Sequence, residues 1–153
     1  MNIHNFRKAL IKNHVYFKEE KIENFPFIKV KNIPGLKIEY SKDRAWMREE
    51  IKIFDSFILK SCDRGKTGVW LSPIEELMNE INLWQKYKEK IPILRKVAII
   101  DDGNIVCIVE PFMQEYNYEI WKKNGLLKRA EMTIKKLEIK YQLDCKLDNF
   151  VYN

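Results

Sequence analysis

Two short runs of almost unbroken apolar residues constrain the fold of this chain more than any other feature. Residues 97–100 (Val-Ala-Ile-Ile) and 105–109 (Ile-Val-Cys-Ile-Val) flank residues 101–104 (Asp-Asp-Gly-Asn). The flanked residues tolerate the positive φ angles of tight turns. Strands that are apolar on both faces are usually covered on both faces. This hairpin therefore predicts a layered domain with a central sheet.

Two amphipathic helices are predicted on either side of this hairpin in the sequence. The first begins at Ser72, an N-cap residue followed by Pro73 and by Glu75 at the capping-box position, and extends to about Lys88. Its apolar residues recur every three or four positions: Ile74, Leu77, Met78, Ile81 and Trp84. The second helix covers about residues 126–141. Its apolar stripe consists of Leu127, Ala130, Ile134, Leu137 and Tyr141.

The remaining elements are shorter. Residues 3–13 have the spacing of a short amphipathic helix, and residues 51–62 read as a hairpin with a turn at Asp55. Residues 36–40 alternate like a half-buried strand. Residues 25–30 also read as extended, with Pro26 favouring a sheet edge. We predict an α+β fold with an antiparallel five-stranded sheet, one helix packed on it and a short helical C-terminal part.

Composition and length predict a single domain. The 153 residues are 46% hydrophobic and 12% aromatic, which is typical of a globular protein. No apolar run approaches the ~18 residues that would suggest a membrane span. The start of the sequence has no basic stretch leading into an apolar run, and the three cysteines are far apart. We expect a cytoplasmic protein that does not bind a membrane.

A net charge of +6 can attract nucleic acid or an acidic protein. On the second helix, basic residues lie largely off the apolar stripe: Lys128, Arg129, Lys135, Lys136 and Lys140. Such a basic face can bind phosphates or an acidic protein, and it is also what an ordinary solvated helix face looks like. The sequence leaves both interpretations open.

The order of the predicted elements resembles that of a protein kinase. The chain has, in order, a hairpin ending in lysine, a capped helix, an apolar hairpin, a linker and a helix. The small lobe of a kinase, its hinge and the first large helix of its large lobe follow one another in the same order. Lys60 resembles the third-strand lysine that binds nucleotide phosphates, and Glu80 resembles the helix glutamate that pairs with it. Glu110 and Phe112 are similar to hinge residues, whose backbone groups bind adenine.

A segment after the second helix extends the resemblance. Asp144 and Asn149 have the spacing of the catalytic-loop motif H-R-D-x-x-x-x-N, where they would be the catalytic base and a metal ligand. The resemblance covers residues 36–153, divided into a small-lobe-like part (36–110) and a partial large-lobe-like part (111–153). Residues 1–35 are an N-terminal extension without an assigned role. Kinase-like proteins of bacteriophages have a similar helix with the pattern Glu-Ile-x-x-Trp, as in residues 80–84.

Departures from the kinase pattern predict that the chain is not a self-sufficient kinase. Residues 40–45, at the place of the glycine-rich loop, contain no glycine, although a close backbone approach to phosphates requires it. Gln142 and Leu143 stand where the motif has histidine and arginine. The sequence reaches Asn153 without an Asp-Phe-Gly segment, whose aspartate binds magnesium in kinases. Lys60, Glu80, Asp144 and Asn149 are therefore expected to be vestigial, with no cofactor and no metal site.

Three functions are compatible with these residues. The leading hypothesis is a catalytically inactive kinase-like module that binds and inhibits another macromolecule, most simply a protein, as a phage-type antagonist of a host enzyme or defence complex. The first alternative is a nucleotide-dependent phosphotransferase that uses ATP and magnesium at an unusual site built from Asp144, Asp148 and Asn149. The second alternative is a nucleic-acid-binding module that uses the basic helix face and the basic residues among the first sixty.

Overall fold

The computed structural model describes residues 2–31, 50–61, 73–90, 93–103, 106–115, 118–141 and 151–152. These residues form helices and strands, which confirms the predicted α+β class. The chain divides into two compact units, a first unit of Met1–Phe112 and a second unit of Met113–Asn153. The predicted strand at 36–40 and the predicted cap at Ser72 lie outside the described residues.

The first unit contains two helices and six strands within its described residues. In chain order they are α1 (Ile3–Lys12), β1 (Phe17–Ile22), β2 (Phe25–Val30), β3 (Glu50–Ile53), β4 (Phe57–Ser61), α2 (Pro73–Tyr87), β5 (Ala98–Asp101) and β6 (Val106–Pro111). The strands form one sheet in the order β1-β2-β5-β6-β4-β3. β5 and β6 are adjacent and antiparallel at its centre, which confirms the apolar hairpin.

The prediction of five antiparallel strands is corrected to six described strands with one parallel pair, β2 and β5. The additional strands come from the N-terminal residues that had no assigned role. β1 and β2 form a tight hairpin because Glu23 and Asn24 adopt positive φ angles of 49° and 66°, as a two-residue type I′ turn requires. β2 is apolar on both faces, and it therefore lies inside the sheet.

The edge position suggested by Pro26 is also wrong. β2 pairs with β1 on one side and with β5 on the other. The pairing with β5 covers only Phe27, Ile28 and Lys29. Pro26 precedes these residues, so its missing N–H interrupts no part of the parallel ladder.

Each face of the sheet is covered by one helix. α1 places Phe6 and Leu10, both fully buried, in a cluster with β4 residues such as Phe57. α2 places Leu77, Met78 and Ile81 on the opposite face, as its predicted stripe required. There they join a cluster that also contains Phe25, Phe27, Ile99 and Ile108. The two-sided cover explains why the central strands are apolar throughout.

A bidentate ion pair ties α1 to strand β1. Arg7 donates from Nε and Nη2 to the two carboxylate oxygens of Glu19, at 2.7 and 2.6 Å. The hydrogen bonds from Arg7 hold the pKa of Glu19 below its ordinary value of 4.5. A carboxylate with a lowered folded-state pKa stabilises the fold above its unfolded-state pKa, and the contribution is lost as pH falls through the folded-state value.

We therefore expect Glu19→Gln to lower the free energy of unfolding at neutral pH by no more than about 1 kcal/mol, because both partners keep some solvent contact. The difference in the free energy of unfolding between the parent and the variant should decrease to zero as pH falls through the folded-state pKa of Glu19. Urea unfolding at several pH values measures this. A difference that stays constant into strong acid would contradict the assignment.

The second unit is small and largely helical. Its described elements are β7 (Gln114–Glu115), α3 (Tyr118–Lys123), α4 (Leu126–Tyr141) and β8 (Val151–Tyr152). β7 and β8 pair antiparallel. Gly125, at φ 71°, reverses the chain between α3 and α4. α3 packs on α4, and the bounds of α4 are those predicted. In the part of the chain that the structure describes, every helix is too short or too polar to cross a membrane.

Candidate functional site

Four charged side chains meet on the α2 side of the sheet and form the buried charge cluster: Lys60, Glu80, Lys96 and Glu110. The β4–β6 register pairs Ile58 with Glu110 and Lys60 with Ile108. Opposite residues of an antiparallel pair, and residues two apart on one strand, project to the same face. Lys60 and Glu110 therefore project to the side of Ile108, which packs with α2.

The cluster is a chain of alternating charges. Lys96 Nζ donates to Glu110 Oε1 at 2.6 Å and to Glu80 Oε1 at 3.1 Å. Lys60 Nζ lies 3.3 Å from Glu110 Oε2, a charge contact without hydrogen-bond geometry. The side chain of Glu110 is fully buried, that of Lys96 is 8% exposed, and those of Lys60 and Glu80 are 20% and 24% exposed. Glu110 is thus the most buried member of this chain of charges, and its two ends, Lys60 and Glu80, are the most exposed members.

Charge balance makes this arrangement possible inside the first unit. Removing a lone ammonium or carboxylate from water costs several kcal/mol even after the protein relaxes. Two lysines and two glutamates, each with an opposite charge within 3.3 Å, compensate one another. Within the described ranges the cluster has two positive and two negative groups.

The structure brings Lys60 and Glu80, the first two residues singled out by the kinase resemblance, into this one cluster. Glu110 and Lys96 connect them: Lys60 contacts Glu110, and Glu80 contacts Lys96. Sequence reasoning assigned Glu110 to a hinge and missed Lys96 altogether. A charged residue inside or directly before an apolar strand was the available signal, because such charges are almost always paired.

Phe112, the other hinge-like residue, ends the first unit beside the β3–β4 turn. Its N–H donates to the carbonyl of Ser56 at 2.8 Å. Phe112 is 41% exposed, and the centroid of its ring lies 4.1 Å from Lys52 Nζ in a cation–π contact. The preceding residue, Pro111, has no N–H. The backbone N–H of Phe112 is therefore used within the protein, and Pro111 has none to give an adenine ring.

The predicted basic residues of α4 are all exposed, whereas Ala130 and Leu137 of the apolar stripe are buried. These residues are Lys128, Arg129, Lys135, Lys136 and Lys140. The prediction that they lie away from the packed side of α4 is confirmed. Two large apolar residues, Met132 and Ile139, lie exposed among them.

The catalytic-loop residues Asp144 and Asn149 lie outside the described residues, as do Asp148 of the alternative metal site and the glycine-free segment 40–45. Within the described ranges, no three His, Cys, Asp or Glu side chains are grouped as metal ligands would be. Comparison of the chain with protein-family models, with curated proteins and with solved structures found no match.

Proposed function

We propose that this chain is a catalytically inactive kinase-like module that acts by binding and inhibiting another macromolecule, most simply a protein. The kinase-like part of the proposal is supported by the order of elements in the first unit. α2 lies between the β3–β4 and β5–β6 hairpins, and β4 pairs with β6. Lys60 of β4 and Glu80 of α2 belong to one cluster, where Lys60 contacts Glu110 and Glu80 contacts Lys96.

The ion-pair partners of Lys60 and Glu80 carry the inactive part of the proposal. In an active protein kinase the strand lysine pairs with the helix glutamate while it binds nucleotide phosphates. Here the Lys60 ammonium lies 3.3 Å from the fully buried carboxylate of Glu110, and Glu80 contacts Lys96. The use of the Phe112 N–H by Ser56 and the absence of glycine at residues 40–45 support the same conclusion.

We expect the full chain to show neither calorimetric binding of ATP with Mg²⁺ nor transfer of labelled phosphate to itself or to a general protein substrate. The reason is that Lys60 contacts Glu110 and that residues 40–45 contain no glycine, which a close backbone approach to phosphates requires. An active protein kinase assayed in parallel shows that the conditions support transfer.

Phosphoryl transfer that is lost in Lys60→Ala and Asp144→Ala, but kept in the matched control Lys52→Ala, would overturn the proposal. It would establish the nucleotide-dependent phosphotransferase instead. Lys52 is a suitable control because it is an exposed lysine on the neighbouring strand β3, with its ammonium over the Phe112 ring.

A further inference from the structure

The outer side of α4 combines apolar and basic residues in an ordered way. An α-helix turns by about 100° per residue, so Met132 and Ile139 lie within about 20° of each other and roughly opposite the buried Ala130 and Leu137. Their side chains are 64% and 82% exposed. Single exposed apolar residues are common on protein surfaces. Met132 and Ile139, however, are aligned with each other on the side of α4 that faces away from its packed stripe. Together they form an exposed apolar pair.

Four cations flank this apolar pair on both sides. By the same rotation of about 100° per residue, Lys128 and Lys135 fall on one side of Met132, and Arg129 and Lys136 on the other. We call these six residues the outer face of α4: Lys128, Arg129, Met132, Lys135, Lys136 and Ile139. All four cations are exposed, and none makes an ion pair in the part of the chain that the structure describes.

We infer that the outer face of α4 docks an acidic amphipathic helix of a partner protein. Met132 and Ile139 are seven residues apart, about 10.5 Å along the helix axis. A partner helix with two apolar residues at the same spacing would seat them against this pair, with its carboxylates beside the four cations. The inference rests on the proposed function, because it names the chemistry of the partner that the module binds.

A nucleic acid fits this face less well. Phosphate contacts need cations, and they gain nothing from aliphatic side chains placed between those cations. Three of the four cations are lysines, which lack the planar fork that arginine uses for bidentate phosphate contacts. An anionic lipid surface needs a broad apolar face, and the broad apolar face of α4 is the packed one. The two exposed apolar residues therefore favour a protein partner.

The test uses fluorescence anisotropy with the full chain and designed 21-residue peptides. One glutamate-rich helical peptide carries two leucines seven residues apart. A control peptide has the same composition with the leucines five residues apart, on different sides of its helix. A 20-base-pair DNA duplex and vesicles containing phosphatidylserine are the competing probes. We expect the first peptide to bind at least about tenfold more tightly than the control peptide, a difference of about 1.4 kcal/mol.

Met132→Gln and Ile139→Gln should each weaken binding of that peptide by about fivefold to tenfold. Lys135→Glu combined with Lys136→Glu should weaken it further. Ile11→Gln is the matched control, because Ile11 is 65% exposed on α1, and it should leave binding unchanged. Circular dichroism confirms that each variant keeps its helix content.

Equal binding of the two peptides, or insensitivity to both glutamine variants, would overturn the inference. So would tighter binding of the duplex or the vesicles that depends on Lys135 and Lys136 alone. The result of this binding test can be distinguished from the result of the phosphoryl-transfer test of the proposed function. Phosphoryl transfer would refute the inactive module and leave the peptide result standing, whereas absent transfer with absent peptide binding would refute only this docking face.

Discussion

Replacing Glu110 with alanine should lower the free energy of unfolding by about 3–5 kcal/mol, the usual cost of removing one partner from a buried ion pair. The fully buried carboxylate of Glu110 contacts both Lys96 and Lys60. Its removal leaves Lys96, 8% exposed, with Glu80 as its remaining partner in the cluster. Urea unfolding followed by circular dichroism and fluorescence measures the loss.

Two further variants make this result specific. Glu89→Ala removes an exposed glutamate of the same unit and should change stability by no more than about 0.5 kcal/mol. Glu110→Leu combined with Lys96→Met replaces the central pair with apolar side chains and should recover much of the loss. A Glu110→Ala variant as stable as Glu89→Ala would show that the buried charge cluster does not contribute to the fold as described.

Phe6→Ala should destabilise the first unit by about 3–5 kcal/mol, as expected for truncating a fully buried phenylalanine. Phe6 lies on α1, and its ring meets the ring of Phe57 edge to face at a centroid distance of 5.0 Å. A second ring, that of Phe54, lies 6.3 Å away. The substitution therefore leaves a cavity between α1 and the sheet and removes an aromatic contact.

The control for this prediction is Ile11→Ala on the same helix, because Ile11 is 65% exposed and its loss should cost less than about 0.5 kcal/mol. Equal unfolding midpoints for the two variants would mean that α1 is not part of the core. A large difference would establish that the N-terminal residues are integral to the first unit.

Elements with a clear apolar period were predictable from the sequence. The bounds of α4 and the hairpin of β5 and β6 agree between the prediction and the structure. Apolar residues at a period of 3.6, and continuous apolar runs, are strong local signals. The placement of β2 was not predictable in this way. Successive residues of β2 face opposite sides of the sheet, so Phe27 packs in the apolar cluster with α2 and Ile28 packs in the cluster with α1. Only the pairing with the distant strand β5 determines that β2 lies inside the sheet.

The candidate site was predictable only in part, for a related reason. Lys60 and Glu80 were found through their positions relative to a strand and a helix, which local patterns give. Lys96 was missed because its partners, Glu80 and Glu110, lie 16 and 14 residues away in the chain. No periodic pattern connects residues at such separations, and only the folded register of β4, β5 and β6 brings their charges together.

The parallel contact between β2 and β5 joins Phe27 to Ile99, residues that are far apart in the chain. Without the N-terminal hairpin, one side of β5 would present unpaired backbone groups next to apolar side chains, which is the condition that promotes aggregation through strand edges. The hairpin replaces that edge with β1, where Lys18 and Lys21 are exposed and Glu20 pairs with Lys18 and Lys29. Charged side chains on an outer strand discourage pairing with other chains. The first thirty residues thus protect the most apolar strands of the protein from self-association.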